Sequence, residues 1–91
     1  MNIEFDKRFA KDFKVLPTHV QRAVLMIIDE IKAAKKLFDV KNCIKMRESE
    51  NLHRIRTEDY RIILILYLCG ETVEFIRVLS RGQVYKKHNK R

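Results

Sequence analysis

From Tyr60 to Leu68 the chain reads "YRIILILYL", isoleucine, leucine and tyrosine broken only by Arg61. A run this apolar and this rich in β-branched and aromatic residues suits a strand at the centre of a sheet. A central strand needs partners on both sides, and the sequence supplies them at short range. Leu52–Thr57 precedes it across Glu58–Asp59, and Thr72–Ser80 follows it after Gly70–Glu71. Cys43–Arg47 is a further short strand before a turn at Ser49–Asn51. Sequential strands joined by turns this short form an antiparallel meander.

A sheet of this kind must be covered, and the first half of the chain has the pattern to cover it. Asn2–Phe5 reads as a short first strand. Asp6 reads as a helix N-cap, and Phe9, Phe13 and Leu16 recur at helical spacing behind it. Pro17 interrupts that helix, because the residue before a proline is pushed out of helical angles. Thr18 with Gln21 three residues later has the form of a capping box for a second helix. That helix runs from about Thr18 to Lys36, with Val20, Val24, Ile27, Ile31 and Ala34 as its apolar stripe and Leu25 and Ile28 widening it. The expected architecture is α+β in two layers: a short N-terminal strand, a helical hairpin, then the antiparallel meander.

Ninety-one residues have room for one core, so a single domain is expected over residues 1–85, with 86–91 a basic, fraying tail. No stretch of 18 apolar residues exists, which argues against a transmembrane helix. Met1–Phe5 runs straight into Asp6, Lys7 and Arg8, unlike a signal peptide, so the expected compartment is the cytoplasm. Cys43 and Cys69 are too few for a disulfide scaffold and read as small buried hydrophobes. His19, His53 and His88 form no metal-ligand pattern, so neither a metal nor another cofactor is expected.

The net charge of +8 points to an acidic partner, either nucleic acid or protein, unless the excess is simply solvated lysine. The placement of the arginines is more informative. Strand side chains alternate between faces, so Ile55 points one way and Arg54 and Arg56 the other, about 7 Å apart for two rises of ~3.3 Å. Arg61 lies just across the Glu58–Asp59 turn, Arg81 closes the last strand, and Tyr85 follows it. Guanidinium groups gathered on one face repel one another unless an anion sits among them. Their planar forks suit phosphate, and aromatics beside them can stack on splayed bases. The alternative is pairing of each arginine with Glu48, Glu58, Asp59 or Glu74, which is the reading preferred for Arg77. Since Arg77 shares parity with Phe75 and Leu79, the faces of the last strand stay open.

The strings "LHRIRTEDYRIIL" and "VEFIRVLSRGQVY", with "FDKRFAKDFKVLP" ahead of them, resemble the RelE/ParE superfamily of type II toxins. The likeness spans nearly the whole chain. It implies a fold similar to microbial ribonucleases and an acidic antitoxin that wraps the toxin, with a heterotetramer as one assembly. RelE-type members cut messenger RNA in the ribosomal A site. The resemblance carries their basic strand pair onto Arg54 and Arg56, the arginine after the tyrosine onto Arg61, the late arginine onto Arg81 and the C-terminal tyrosine onto Tyr85. Three positions depart from the pattern: Glu58 stands where many relatives have glycine, and Ser80 and Gln83 replace residues able to move protons.

The chemistry implied is attack of a ribose 2′-OH on the adjacent phosphate, without a metal, since the nucleophile belongs to the substrate. Arg61 and Arg81 would neutralise the scissile phosphate. Arg54 and Arg56 would hold flanking phosphates or the leaving oxygen, and Tyr85 would stack on a base or orient the 2′-OH. Two other readings remain at this stage: a ParE-like gyrase inhibitor, and a nonenzymatic basic module that binds RNA or protein.

Overall fold

The computed structural model describes residues 1–46, 51–67 and 71–82. The order is β1 (Asn2–Phe5), α1 (Lys7–Lys14), α2 (Thr18–Ala33), a short 3-10 turn (Leu37–Asp39), β2 (Cys43–Lys45), β3 (Leu52–Thr57), β4 (Tyr60–Leu66) and β5 (Thr72–Ser80). The five strands form one sheet in the order β1-β5-β4-β3-β2. Strands β2 to β5 are the antiparallel meander, and β1 adds to β5 in parallel, which makes the sheet mixed. A parallel neighbour requires a long crossover, and here the helices and the meander provide it.

Local chemistry sets the helix boundaries. The Asp6 carboxylate accepts the backbone N–H of Arg8 at 2.8 Å and starts α1. The Arg8 guanidinium also bonds that carboxylate, which holds Asp6 below the usual carboxylate range. At α2 the expected capping box does not form. Pro17 is the cap residue, with no side-chain bond, and Thr18 is already helical. A proline N-cap in extended geometry leaves its carbonyl to Val20 and Gln21, and the Gln21 amide instead donates to the Phe13 carbonyl at 2.8 Å. α2 stops at Ala33 rather than Lys36, because Ala34 turns to ψ 148° while still donating to Glu30 and Ile31.

One face of the sheet meets the helices. Phe9, Val20, Val24, Ile28 and Ile31 pack on Ile55, Ile62, Leu64, Val73, Phe75 and Val78. Leu25 does not join them. It is 50% exposed, because the stripe Val20–Val24–Ile28–Ile31 is narrower than the sequence pattern suggests. The rings of Phe5, Phe9 and Phe75 cluster at centroid distances of 5.3 to 5.5 Å and fix α1 over β5. A fully buried side chain of this size contributes roughly 1.5–3 kcal/mol.

The strands match expectation residue for residue at β1, β3 and β5. β2 ends at Lys45 and β4 at Leu66, short of the expected Arg47 and Leu68, and both of those residues lie outside the described ones. Tyr85, Gln83 and the basic tail also lie outside them.

Candidate nucleic-acid interface

β3 and β4 form a two-residue hairpin in which Thr57 pairs with Tyr60 across Glu58–Asp59. Glu58 has φ 54°, a left-handed conformation that glycine adopts without steric cost, which explains why a glycine fits this position so well. Beyond the turn, Arg56 pairs with Arg61, Ile55 with Ile62 and Arg54 with Ile63. Directly opposed residues share a face, so register puts Arg54, Arg56 and Arg61 on the face opposite Ile55 and Ile62, although Arg56, near the sheet edge, also lines a hollow of about 250 Å³ with Ala23, Met26, Ile27 and Glu30 of α2. Strand register therefore puts these three at neighbouring positions on one face.

The last strand owes its ambiguous parity to a bulge. Ile63 pairs with Arg77 but Leu64 pairs with Phe75, so Ile76 is one residue extra on β5. Val73 and Phe75 face the core, while Arg77 and Leu79 lie on the arginine side. Leu79, Ile63 and Ile65 give that face an apolar stretch beside its charges, and Leu79 is buried although it lies outside the helix-side core. Simple alternation could not show this, because a bulge has no reliable signature in one sequence.

Arg81 follows β5 and opens a helical turn. Its backbone N–H donates to the Asp59 carbonyl at 2.9 Å, so its backbone is anchored beside the turn that separates Arg56 from Arg61. Arg61 also donates from Nη1 to the Tyr60 carbonyl at 3.3 Å. Among the described residues no carboxylate forms an ion pair with Arg54 or Arg56. Like charges facing each other across a ladder are destabilising, so this face favours an anion.

Two of the carboxylates expected to neutralise arginines, Glu58 and Glu74, are engaged elsewhere, and Glu48 lies outside the described residues. Glu58 binds His19 Nε2 at 3.1 Å. Glu74 accepts the Tyr67 hydroxyl, and that bond raises the Tyr67 pKa. Arg77 does pair with a carboxylate, but its partner is Asp12 on α1 rather than any of the four expected from sequence proximity. Nε and Nη2 of Arg77 donate at 2.7 and 3.1 Å, and the Val78 N–H donates to the same carboxylate at 2.9 Å. β1 pairs only as far as Phe75, so Val78 lies on an open edge and Asp12 covers it. Nothing in sequence spacing indicated this contact, which spans 65 positions.

His53 lies on the other side of the sheet. It lines a cavity of about 360 Å³ with Leu37, Cys43 and Leu66, and its Nδ1 is 3.2 Å from the Asn51 carbonyl. Burial pushes the Cys43 thiol up to about 11, which makes it a poor nucleophile. Among the described residues no cluster of His, Cys, Asp and Glu could hold a metal ion, and no helix is long and apolar enough to cross a membrane.

No protein-family model matches the chain. Toxin RelE3 of Methanocaldococcus jannaschii is 37% identical over 86 residues, covering 93% of this chain and 96% of that protein. A chain in the crystal structure of the RelB–RelE antitoxin–toxin complex from Methanococcus jannaschii is similar with TM-score 0.80 and 33% identity, over 92% of this chain and 96% of that one. The archaeal RelE–RelB complex from Pyrococcus horikoshii OT3 shares the fold at TM-score 0.73 and 21% identity, covering 90% of this chain and 96% of its match.

Proposed function

The chain belongs to the RelE family of toxins, and from that premise we propose that it is an endoribonuclease that cuts translated messenger RNA in the ribosomal A site, in the cytoplasm. The observation that carries this reading is the face formed by Arg54, Arg56 and Arg61, with no carboxylate paired to the first two among the described residues. Such a face suits a phosphodiester backbone, and the half-buried Ile63 beside it offers apolar contact to a base.

In the proposed reaction the ribose 2′ oxygen forms a bond to the adjacent phosphorus and the P–O5′ bond breaks. The 2′ oxygen loses its proton and the departing O5′ gains one, leaving a 2′,3′-cyclic phosphate and a 5′-hydroxyl. Negative charge gathers on the phosphate oxygens as this happens. Arg61 and Arg81 neutralise it, Arg54 and Arg56 hold the flanking phosphates, and Tyr85 orients the 2′-OH or stacks on a base. Each pre-placed donor is worth roughly 3–4 kcal/mol, a factor of about 10² to 10³. Arginine holds its proton too tightly to act as a base, so alignment of the strand by the ribosome supplies much of the remaining acceleration.

The partner that restrains this activity is an acidic antitoxin. The +8 charge of the chain is complementary to one, and the relative from Methanococcus jannaschii was crystallised as a RelB–RelE antitoxin–toxin complex.

Primer extension on messenger RNA after brief expression tests the reading. Cuts inside translated codons are expected, and Arg61→Ala or Arg81→Ala should reduce them by about 10² to 10³. Intact RNA with halted replication and DNA damage would identify a gyrase inhibitor instead. Intact RNA with only salt-sensitive retention would identify a binding module.

A further inference from the structure

One end of the helix-side face of the sheet is not covered by helix. α2 stops at Ala33, and the chain is extended at Ala34 and Lys36 before the turn at Leu37–Asp39. Lys36 and Leu37 therefore close over a cavity of about 360 Å³, whose other walls include Leu66 of β4, His53 of β3, and Cys43 and Lys45 of β2. Strand register explains why these side chains meet. Lys45 pairs with His53, His53 with Leu64 and Cys43 with Ile55, and both Leu64 and Ile55 belong to the core. The cavity thus lies on the other side of β3 from Arg54, apart from the arginine face.

Its lining has an apolar part and a basic part. Leu37 is buried, and Met1, Cys43 and Leu66 are half-buried. Burial raises the Cys43 pKa, so that wall carries a neutral thiol. Lys36 and Lys45 are the exposed part of the lining. The His53 ring is fixed by donating from Nδ1 to the Asn51 carbonyl at 3.2 Å. No carboxylate is among the described residues that line the cavity, and among the described residues Lys36 has no ion-pair partner. Two ammonium groups at an apolar hollow repel a metal ion or other cation and attract an anion.

We propose that this cavity binds a small amphipathic anion, a medium-chain aliphatic carboxylate, with its tail against Leu37, Leu66 and Met1 and its head at Lys36 and Lys45. The size fits. An apolar cavity of about 150 Å³ holds benzene, so 360 Å³ has room for a chain of about eight carbons. Phenylalanine, tyrosine and tryptophan are missing from the described lining, so a nucleobase would find none of the rings it stacks on best. The site stands whether or not the arginine face cuts RNA.

The experiment titrates the isotope-labelled full chain with butanoate, hexanoate and octanoate and follows the amide resonances by NMR. Octanol supplies the tail without the charge, and acetate the charge without the tail. Shifts should centre on Leu37, Cys43, Lys45, His53 and Leu66, and affinity should rise about fourfold per added CH₂. Octanoate should bind about tenfold more tightly than octanol, and Lys36→Gln/Lys45→Gln should abolish that difference and leave octanol binding unchanged. In a Cys69→Ser background, octanoate at about ten times its Kd should slow the reaction of Cys43 with a disulfide reagent about tenfold. Equal affinity for acetate and octanoate overturns the proposal, as do shifts centred on Arg54, Arg56 and Arg61, which would place the anion on the arginine face. So does octanol binding as tightly as octanoate, which would make the cavity a neutral apolar site, or an unchanged Cys43 rate. The chain-length series and the Cys43 rate leave both lysines in place, so they decide the matter without the double variant. Cleavage is not measured, so failure of the ribonuclease reading would appear only in primer extension.

Discussion

Replacing Asp12 with alanine tests how α1 is held to the sheet. The carboxylate accepts three bonds, from Nε and Nη2 of Arg77 and from the Val78 N–H. Its side chain is 16% exposed and that of Arg77 is 23% exposed, so the pair is shielded without being dry. A hydrogen bond to a charged group contributes about 1.5–3 kcal/mol in such surroundings. After Asp12→Ala, water would recover part of that for Arg77 and for the open β5 edge. Alanine also returns about 0.5 kcal/mol of helix propensity. The net loss should be about 2 kcal/mol, or roughly 8–16 °C in Tm for a domain this small. Urea unfolding followed by circular dichroism reads it directly, with the m-value unchanged. A cycle with Arg77→Ala should give a coupling of about 1–3 kcal/mol. A loss under about 0.5 kcal/mol, or a coupling near zero, would mean that Phe9 and Phe13 hold α1 unaided.

Two further outcomes follow from local geometry. In a Cys69→Ser background, Cys43 should react with a disulfide reagent at pH 8 about 100-fold more slowly than an ordinary thiol, since burial raises its pKa from 9.0 to about 11. The sign for stability follows: the folded state favours the neutral thiol, so this contribution is complete below the ordinary thiol pKa and is lost as pH rises through about 11. Fast reaction at pH 8 would show that the thiol is open to solvent. At Glu58, glycine relieves a left-handed conformation costing about 1–2 kcal/mol and gives up an exposed His19 pair worth about 0–1 kcal/mol. Glu58→Gly should therefore be neutral or stabilising in urea, and Glu58→Val should lose about 1–2 kcal/mol. A Glu58→Gly variant that loses more than about 1 kcal/mol would show that the histidine contact outweighs the strain.

The sequence was most legible where its signal is local. The run around Ile62–Leu66 could be little other than a central strand, and the alternation around Ile55 already put Arg54 and Arg56 on one side. It was least legible where the outcome depended on a distant partner. Gln21 fits a capping box, but the Phe13 carbonyl was there to be met once the helices folded back. The arginine at position 77 fits a pair with a nearby carboxylate, but an aspartate on α1 reached it first.

The alternation of apolar and charged residues, the turn residues and the proline were enough by themselves to determine the main elements, the antiparallel meander and the shared side of Arg54 and Arg56, because these depend on neighbours within a few positions, whereas the parallel pairing of β1 with β5 does not. Only the tertiary structure decided that Arg61 stands opposite Arg56, that a bulge at Ile76 carries Leu79 to the arginine side, and that Asp12 covers the open edge of β5. Those depend on strand register and on contacts between residues far apart in the chain, and register is settled by how all the strands and both helices pack at once.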